Sequence, residues 1–195
     1  MSGLLALFII GISAGSLLCE KLSGHQIEIG LVPFGSIGLT LFGLDLFLAS
    51  PATPGVAVSF GEFLSHGANW RIIIDLVLIG VFGGFYIVPL YALVQSRSEP
   101  AHRSRVIAGL NILDALAMVI AAITAMVLLG PADLSIPQLF LITAVLNAFV
   151  AIYIFTLVPE FLMRFLVWIL IHTIYRVRVT GMEHIPDEGP VVIAS

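Results

Sequence analysis

The chain has 195 residues, of which 59% are hydrophobic and only 10% are charged, and its formal net charge is −4. A soluble domain of this length cannot cover its surface with so few polar residues, and the negative charge argues against a nucleic-acid partner. The single cysteine, Cys19, cannot form an internal disulfide, and its place near the end of an apolar stretch is typical of a small apolar filler.

Five apolar stretches take up most of the chain and predict an all-α membrane protein. Each is about as long as an α-helix must be to cross a hydrocarbon core of roughly 30 Å, at about 1.5 Å per residue. In chain order the stretches are Gly3–Cys19, Ile29–Ala49, Ile72–Gln95, Val106–Leu129 and Ile136–Val158. The first stretch has no Lys or Arg before it, which is not the pattern of a signal peptide.

The basic residues between the stretches predict the orientation of the chain. If the segment that contains Lys21 is cytoplasmic and the sides alternate, only Arg71 falls on the outer side. The cytoplasmic segments then hold Lys21, Arg97, Arg103, Arg105, Arg164, Arg176 and Arg178. This asymmetry follows the positive-inside rule and predicts an external N-terminus and a cytoplasmic C-terminus. An odd number of spans in this orientation favours a chain that begins partway through a larger bundle.

Small residues and prolines within the stretches predict close helix packing. Gly11 and Gly15 are four residues apart, as are Gly80 and Gly84, and this spacing lets two helix backbones approach each other. Pro33 and Pro89 each remove a backbone donor and can kink a helix. Kinked, glycine-rich helices suit a transporter that rocks between two states, although a static bundle also tolerates them.

Polar side chains at membrane depth indicate a candidate substrate pathway. Asp114 lies about eight residues into the fourth stretch, where an ionised carboxylate costs on the order of 3 kcal/mol on insertion scales. Asn111 shares its helix face, and Asn147 lies near the middle of the fifth stretch. The alternative is that Asp114 binds a neighbouring helix or lies near the headgroups. Other carboxyl groups lie closer to the ends of stretches, where we expect water to reach them: Glu28, Asp45 and Asp75.

After the fifth stretch the sequence changes character. Phe161–Tyr175 is apolar, but Arg164 and His172 leave too short a run to span a bilayer, so we predict a helix that lies in the membrane surface. Arg176–Val179 alternates as a strand does, and Val191–Ala194 favours the start of a buried strand. Because a helix and two strands cannot bury a core, we expect the truncated opening of an α/β cytoplasmic domain.

Three segments resemble lysophospholipid transporters of the major facilitator superfamily. Cys19–Gly38 is similar to their ninth helix and the loop before it, Gly84–Leu90 to their tenth helix, and His102–Ala115 to the start of their eleventh. The resemblance implies that residues 1–159 are helices eight to twelve of a transporter domain. The missing upstream helices would then be partners of this chain, and lysophospholipid would be the membrane lipid that it binds.

Residues 160–195 resemble a second family, the glycerolipid acyltransferases. Arg176–Pro186 and Gly189–Ser195 are similar to the entry of that domain, after which the family has an Asn-His-x-x-x-x-Asp motif. There the histidine is the general base and the aspartate orients it. Neither His172 nor His184 matches this motif, so we expect no catalytic residue in this chain and no acyltransferase activity from it alone. We predict no cofactor and no metal site.

Together the two resemblances imply a bacterial inner-membrane fusion protein of the 2-acylglycerophosphoethanolamine acyltransferase type. Its expected function is to move lysophospholipid inward and to re-acylate it in the cytoplasmic leaflet, with acyl carrier protein or acyl-CoA as the acyl donor. An enzyme tethered at that surface would meet its substrate at a raised effective concentration. Two other functions stay open: a transporter of another amphiphile or drug with a non-catalytic tail, and a membrane scaffold that transports nothing.

Overall fold

A computed structural model of the chain describes residues 2–22, 30–51, 59–157 and 159–173. Within these ranges the backbone is helical apart from short turns, and no strand is present. The α-helices are α1 (Ser2–Leu22), α2 (Leu31–Ala49), α3 (Phe60–Ser65), α4 (Trp70–Arg97), α5 (Arg103–Leu129), α6 (Ile136–Leu157) and α7 (Pro159–Thr173). A single 3₁₀ turn at Gly67–Asn69 precedes α4.

Five of these helices, α1, α2, α4, α5 and α6, are long and apolar enough to cross a membrane. Their ends lie within three residues of the ends that the apolar stretches predict. The prediction of an all-α bundle with five helices able to span a membrane is therefore confirmed for the part of the chain that the structure describes. By the length and composition of its helices, the chain is a multi-pass membrane protein.

Helices α1 and α4 cross where their two pairs of glycines meet. A Cβ atom added at Gly11 would lie against the carbonyl oxygen of Val77, and one added at Gly15 would lie against that of Val81. Because the residue numbers of the contacting pairs increase in the same direction along both helices, α1 and α4 run parallel. This is the direction expected of two spans that are separated by one intervening span. The two glycines of α4 face α1 equally closely. The predicted close packing at both glycine pairs is confirmed.

Helix α2 packs antiparallel against α4. Gly35, near the start of α2, lies against Phe82 and Tyr86 in the second half of α4. Asp45, near the end of α2, instead pairs with Arg71 at the start of α4. This reversal is what two consecutive spans require, and it brings the C-terminal end of α2 and the N-terminal end of α4 together.

Helix α6 lies along α2, also in the opposite direction. Val32 packs against Ile154, whereas Gly43 lies against Ala144. A Cβ atom at Gly43 would stand 3.0 Å from that of Ala144, so the two helices are in close contact there. The directions of α1, α2, α4 and α6 all agree with a chain that alternates direction at each span.

An aromatic cluster fills the space between α2 and α4. The ring centroids of Phe34 and Phe82 are 5.0 Å apart, and those of Phe34 and Phe85 are 5.6 Å apart. Leu31 and Cys19 are buried in the same cluster, with exposed fractions of 1% and 3%. The predicted role of Cys19 as an apolar filler is therefore confirmed.

The last described helix, α7, contacts α2 and α6. Its Phe165 is buried, with its ring centroid 6.2 Å from that of Phe34. A helix is thus present where Phe161–Tyr175 predicts one, and its position in the membrane surface stays a prediction. The predicted strands at Arg176–Val179 and Val191–Ala194 lie outside the described residues, as does Glu28.

Candidate functional site

Asn147 joins α6 to α2 through its side-chain amide. Its Nδ2 atom donates to the carbonyl oxygen of Ser36 at 3.0 Å and to Oγ1 of Thr40 at 2.8 Å. The Thr40 hydroxyl also donates to the Ser36 carbonyl, at 3.1 Å. Such hydrogen bonds stabilise helix association because the membrane interior offers few alternative partners. The amide therefore sits at a polar point on an otherwise apolar interface.

A groove, here called the α2–α6 groove, runs beside this polar point. Its volume is about 470 Å³, and it lies open along one side of the two helices. The groove is lined by Ser36, Ile37, Thr40, Leu41, Leu44, Asp45, Leu48, Ala148, Ala151, Ile152 and Phe155. From Ser36 to Leu48 it extends for about 18 Å, at about 1.5 Å of helix rise per residue. The α2–α6 groove is therefore long and apolar, with a carboxylate near one end.

A second groove of about 440 Å³ opens among α1, α2, α4 and α6. Here called the four-helix groove, it is lined by Phe8, Leu39, Gly43, Leu46, Leu76, Ile79, Leu139, Phe140, Thr143, Ala144 and Asn147. Asn147 lines this groove, and its side chain donates hydrogen bonds to Ser36 and Thr40, which line the α2–α6 groove. The amide thus lies in the wall that separates the two grooves.

The other two residues of the predicted pathway lie on α5. Asp114 accepts a hydrogen bond from the hydroxyl of Tyr91, which connects α5 to α4. Asn111, one helical turn earlier, is exposed. The contact with Tyr91 is the helix-to-helix hydrogen bond that the sequence left open as an alternative role for Asp114. Asn147 is engaged with α2 and Asp114 with α4, so their shared role in one substrate path stays a prediction.

A charged cluster that the sequence did not predict as a site lies where the C-terminal end of α2 meets the N-terminal end of α4. The Arg71 guanidinium binds Asp45 through two nitrogens: Nε donates to Oδ2 at 3.0 Å, and Nη2 donates to Oδ1. Asp75 lies beside this pair, close enough to interact with both partners. A bidentate pair of this kind is both stronger and more directional than a single contact.

The expectation that water reaches Asp75 is wrong, because this side chain is only 2% exposed. Asp75 follows Arg71 by one helical turn, so both face the same side of α4. That side packs against α2, so it is removed from water although it is near the end of the span. The spacing of Arg71 and Asp75, together with Asp45 as the lone charge in the second stretch, could have indicated the cluster.

The arrangement offers an apolar channel, a bidentate ion pair and a buried carboxyl group. Among the described residues no group of His, Cys, Asp and Glu side chains is placed to hold a metal ion. The region therefore combines a long apolar surface with a few charged groups near one end.

No known protein family, curated protein or solved structure matches the chain. The class of protein is therefore defined by the fold alone, as an α-helical membrane protein with five candidate spans.

Proposed function

We propose that the chain forms part of a transporter that moves lysophospholipid across a bacterial inner membrane, towards the cytoplasm. The observation that carries the proposal is the α2–α6 groove, which is apolar over most of its length and has Asp45 near one end. A single-chain lipid has the same division, with one acyl chain and one charged headgroup. The resemblance of residues 1–159 to lysophospholipid transporters supports the same substrate.

The two parts of the groove would contribute differently to recognition. An acyl chain that moves from the bilayer into an apolar groove gains little, because lipid tails are already as apolar as leucine. Selection of the substrate then falls to the polar groups near the headgroup. Asp45 and its partner Arg71 offer a carboxylate and a guanidinium, which complement the ammonium and the phosphate of a zwitterionic lysolipid.

The tail of the chain supports a second step in the same protein. Residues 176–195 resemble the entry of the glycerolipid acyltransferases, and the predicted orientation places them in the cytoplasm. A lysolipid delivered to that leaflet would be re-acylated there, with acyl carrier protein or acyl-CoA as the donor. None of the residues of this chain is assigned a catalytic role in that step.

Uptake of labelled lysophosphatidylethanolamine tests the transport proposal. It is measured in cells that express the gene encoding the chain and in cells that lack it. The blocking variant is Ala148→Trp, which fills the α2–α6 groove. Its matched control is Ala122→Trp, the same change at an exposed residue of α5. We expect uptake to depend on the gene, to fall strongly in the first variant and to persist in the second.

Three results would contradict the proposal, provided that the protein is present in the membrane at its normal level. They are uptake that does not depend on the gene, normal uptake with the groove filled, or uptake of an unrelated amphiphilic drug in place of lysolipid. The last result would favour the drug-transporter alternative.

The inward direction depends on the predicted orientation, which thiol labelling tests. Ser96→Cys and Ser59→Cys place single exposed thiols on the two sides of the protein, in a Cys19→Ala background. An impermeant reagent applied to intact cells should label the cysteine at position 59 and leave the one at position 96 unlabelled. The reverse pattern would place the acyltransferase-like tail outside the cytoplasm and remove the second step.

A further inference from the structure

The carboxyl group of Asp75 is buried, but the described residues around it do not satisfy all of its hydrogen-bonding capacity. Its side chain is 2% exposed, and its Oδ2 atom has no hydrogen-bond partner among the described residues. The adjacent Arg71 is committed to Asp45 through two nitrogens. The cluster therefore holds two carboxyl groups and one guanidinium, of which the Asp75 carboxyl group is buried whereas Arg71 and Asp45 are partly exposed.

Counting charges shows which state this geometry fits. If both carboxylates were ionised, the cluster would carry a net negative charge, and a buried charge without a partner is strongly unfavourable. A proton on Asp75 removes that excess and leaves the Asp45–Arg71 pair neutral. The protonated carboxyl group is also within reach of Asp45 as a hydrogen-bond acceptor. The observed arrangement is thus the one expected with Asp75 protonated.

We propose that Asp75 is a proton-binding site. The presence of its proton determines whether Arg71 binds Asp45 on α2 or Asp75 on its own helix, α4. With the proton bound, Arg71 binds Asp45 across the interface between α2 and α4. When the proton leaves, the Asp75 carboxylate competes for Arg71 from one turn further along α4, the spacing at which side chains on a helix meet. The bond between the helices then weakens and α2 is released from α4 at its C-terminal end.

The proton has a short route to and from water. Asp45 interacts with Asp75, and its own side chain is 32% exposed. The proton leaves the Asp75 carboxyl group, passes to water by way of this carboxylate and returns by the same path. No bond other than the O–H bond forms or breaks, so the exchange needs no oxidant, reductant or co-reactant.

Among the residues that the structure describes, the charged and titratable groups near Asp75 are few. On its own helix the neighbour is Arg71, and from α2 it is Asp45. Those of α1 lie towards the opposite end of that helix: Cys19, Glu20 and Lys21. The segment before α4 contributes Glu62 and His66, both part of an exposed surface. The response to pH at this point of the fold is therefore assigned to Asp75 and the pair beside it.

The switch deepens the proposed transport function and rests on it for its purpose. Asp45 lines the α2–α6 groove, so its release from Arg71 changes the charge that a headgroup meets at that end. A proton gradient across the membrane would then bias when the groove accepts its lipid. The proton site itself stands on the geometry of the three residues and can be tested without any lipid substrate.

The test measures the distance between α2 and α4 as a function of pH. Spin labels are placed on the chain, purified and reconstituted in lipid nanodiscs, at Leu48→Cys and Ile74→Cys, two exposed positions, in a Cys19→Ala background. We expect a short distance at acidic pH and a longer one at alkaline pH. Asp75→Asn, which mimics the protonated group, should lose this shift and keep the short distance at every pH.

Two further variants serve as controls. Asp45→Asn removes the partner on α2, so the shift with pH should be lost and the longer distance should persist. Glu99→Gln changes an exposed carboxyl group that binds His102 beyond the opposite end of α4 and should leave the shift unchanged. Asp75→Glu keeps a titratable group and should retain a shift, which provides a second comparison if Asp75→Asn does not fold.

The proposal is overturned if the distance in the unchanged protein does not vary with pH, or if Asp75→Asn follows the unchanged protein. Because no lipid substrate is present, neither result depends on transport. A shift with pH in a protein that takes up no lysolipid would overturn the transport function and leave the proton site in place. Normal lysolipid uptake in a protein whose α2–α4 distance does not vary with pH would overturn the proton site and leave the transport function in place.

Discussion

Helices α4 and α5 are almost equally long, with 28 and 27 residues, and both are apolar enough to span a membrane. They nevertheless pack very differently. Residues of α4 are buried on both of its packed sides, against α1 and against α2. No residue of α5 is buried against any helix in the described part of the chain. An apolar sequence therefore makes a helix able to span a membrane, but it does not determine whether that helix packs against another one.

The spacing of small residues does not separate the two helices either. On α4, Gly80 and Gly84 are four apart; on α5, Ala117, Ala121 and Ala125 have the same spacing. The glycines of α4 meet the glycines of α1, so the two backbones touch. The alanines of α5 meet no such complement among the described residues. A stripe of small residues thus becomes an interface only where a second stripe faces it.

Two adjacent glycines of α4 test whether close packing against α1 explains the difference between α4 and α5. A Cβ atom at Gly84 would stand 2.7 Å from the backbone nitrogen of Ser16, whereas one at Gly83 would have nothing within 4 Å. Since backbone atoms cannot rotate away, Gly84→Ala should lower the free energy of unfolding by about 1–3 kcal/mol. Gly83→Ala should not lower the free energy of unfolding.

Thermal loss of monodisperse protein in detergent measures this difference. The two variants carry the same added methyl group at consecutive positions, so any general effect of alanine in the helix cancels between them. Equal stability of the two would show that α1 and α4 do not pack through the glycines.

Asn147 and Asn111 extend the comparison to polar contacts. Asn147→Leu removes two hydrogen bonds from α6 to α2. At an average of about 0.6 kcal/mol for each such bond between membrane helices, the loss of both should lower the stability by about 1 kcal/mol. Asn111→Leu, the same change at an exposed residue of α5, should have no measurable effect. The same thermal assay checks both, and an equal loss in the two would mean that α5 is as firmly packed as α6.

Asp114 should show the smallest effect on stability and a large one on transport. Asp114→Asn keeps the size of the side chain and its ability to accept a hydrogen bond from Tyr91, so the amount of protein in the membrane should stay near normal. Lysolipid uptake should fall strongly if the charge serves the substrate path. Normal uptake would reduce Asp114 to a contact between α4 and α5, and loss of the protein would make it a folding residue.

Tyr91→Phe separates the charge of Asp114 from its hydrogen bond. The change removes the hydroxyl donor and leaves the carboxylate in place. If the charge is what matters, uptake should remain close to normal, in contrast to Asp114→Asn. A loss of uptake as large as that of Asp114→Asn would instead assign the effect to the link between α4 and α5.

The candidate site was only partly predictable from the sequence. Asn147 stood out because an amide near the middle of an apolar stretch is unusual, and the structure gives it two partners on α2. Asp75 does not stand out in the sequence, because it is near the end of its stretch, where the sequence predicts contact with water. In the fold, burial depends on which side of α4 faces α2, and Asp75 lies on that side.

The sequence by itself determined the number of spans, their approximate ends and the two glycine pairs. These are local properties, because hydropathy and spacing act along a single helix. Only the tertiary structure decided that Gly11 and Gly15 face Gly80 and Gly84, that Asp45 reaches Arg71, and that α5 stays unburied. Each of these depends on how helices distant in the chain are rotated towards one another. That rotation is fixed by the packing of many side chains at once, which no single stretch contains.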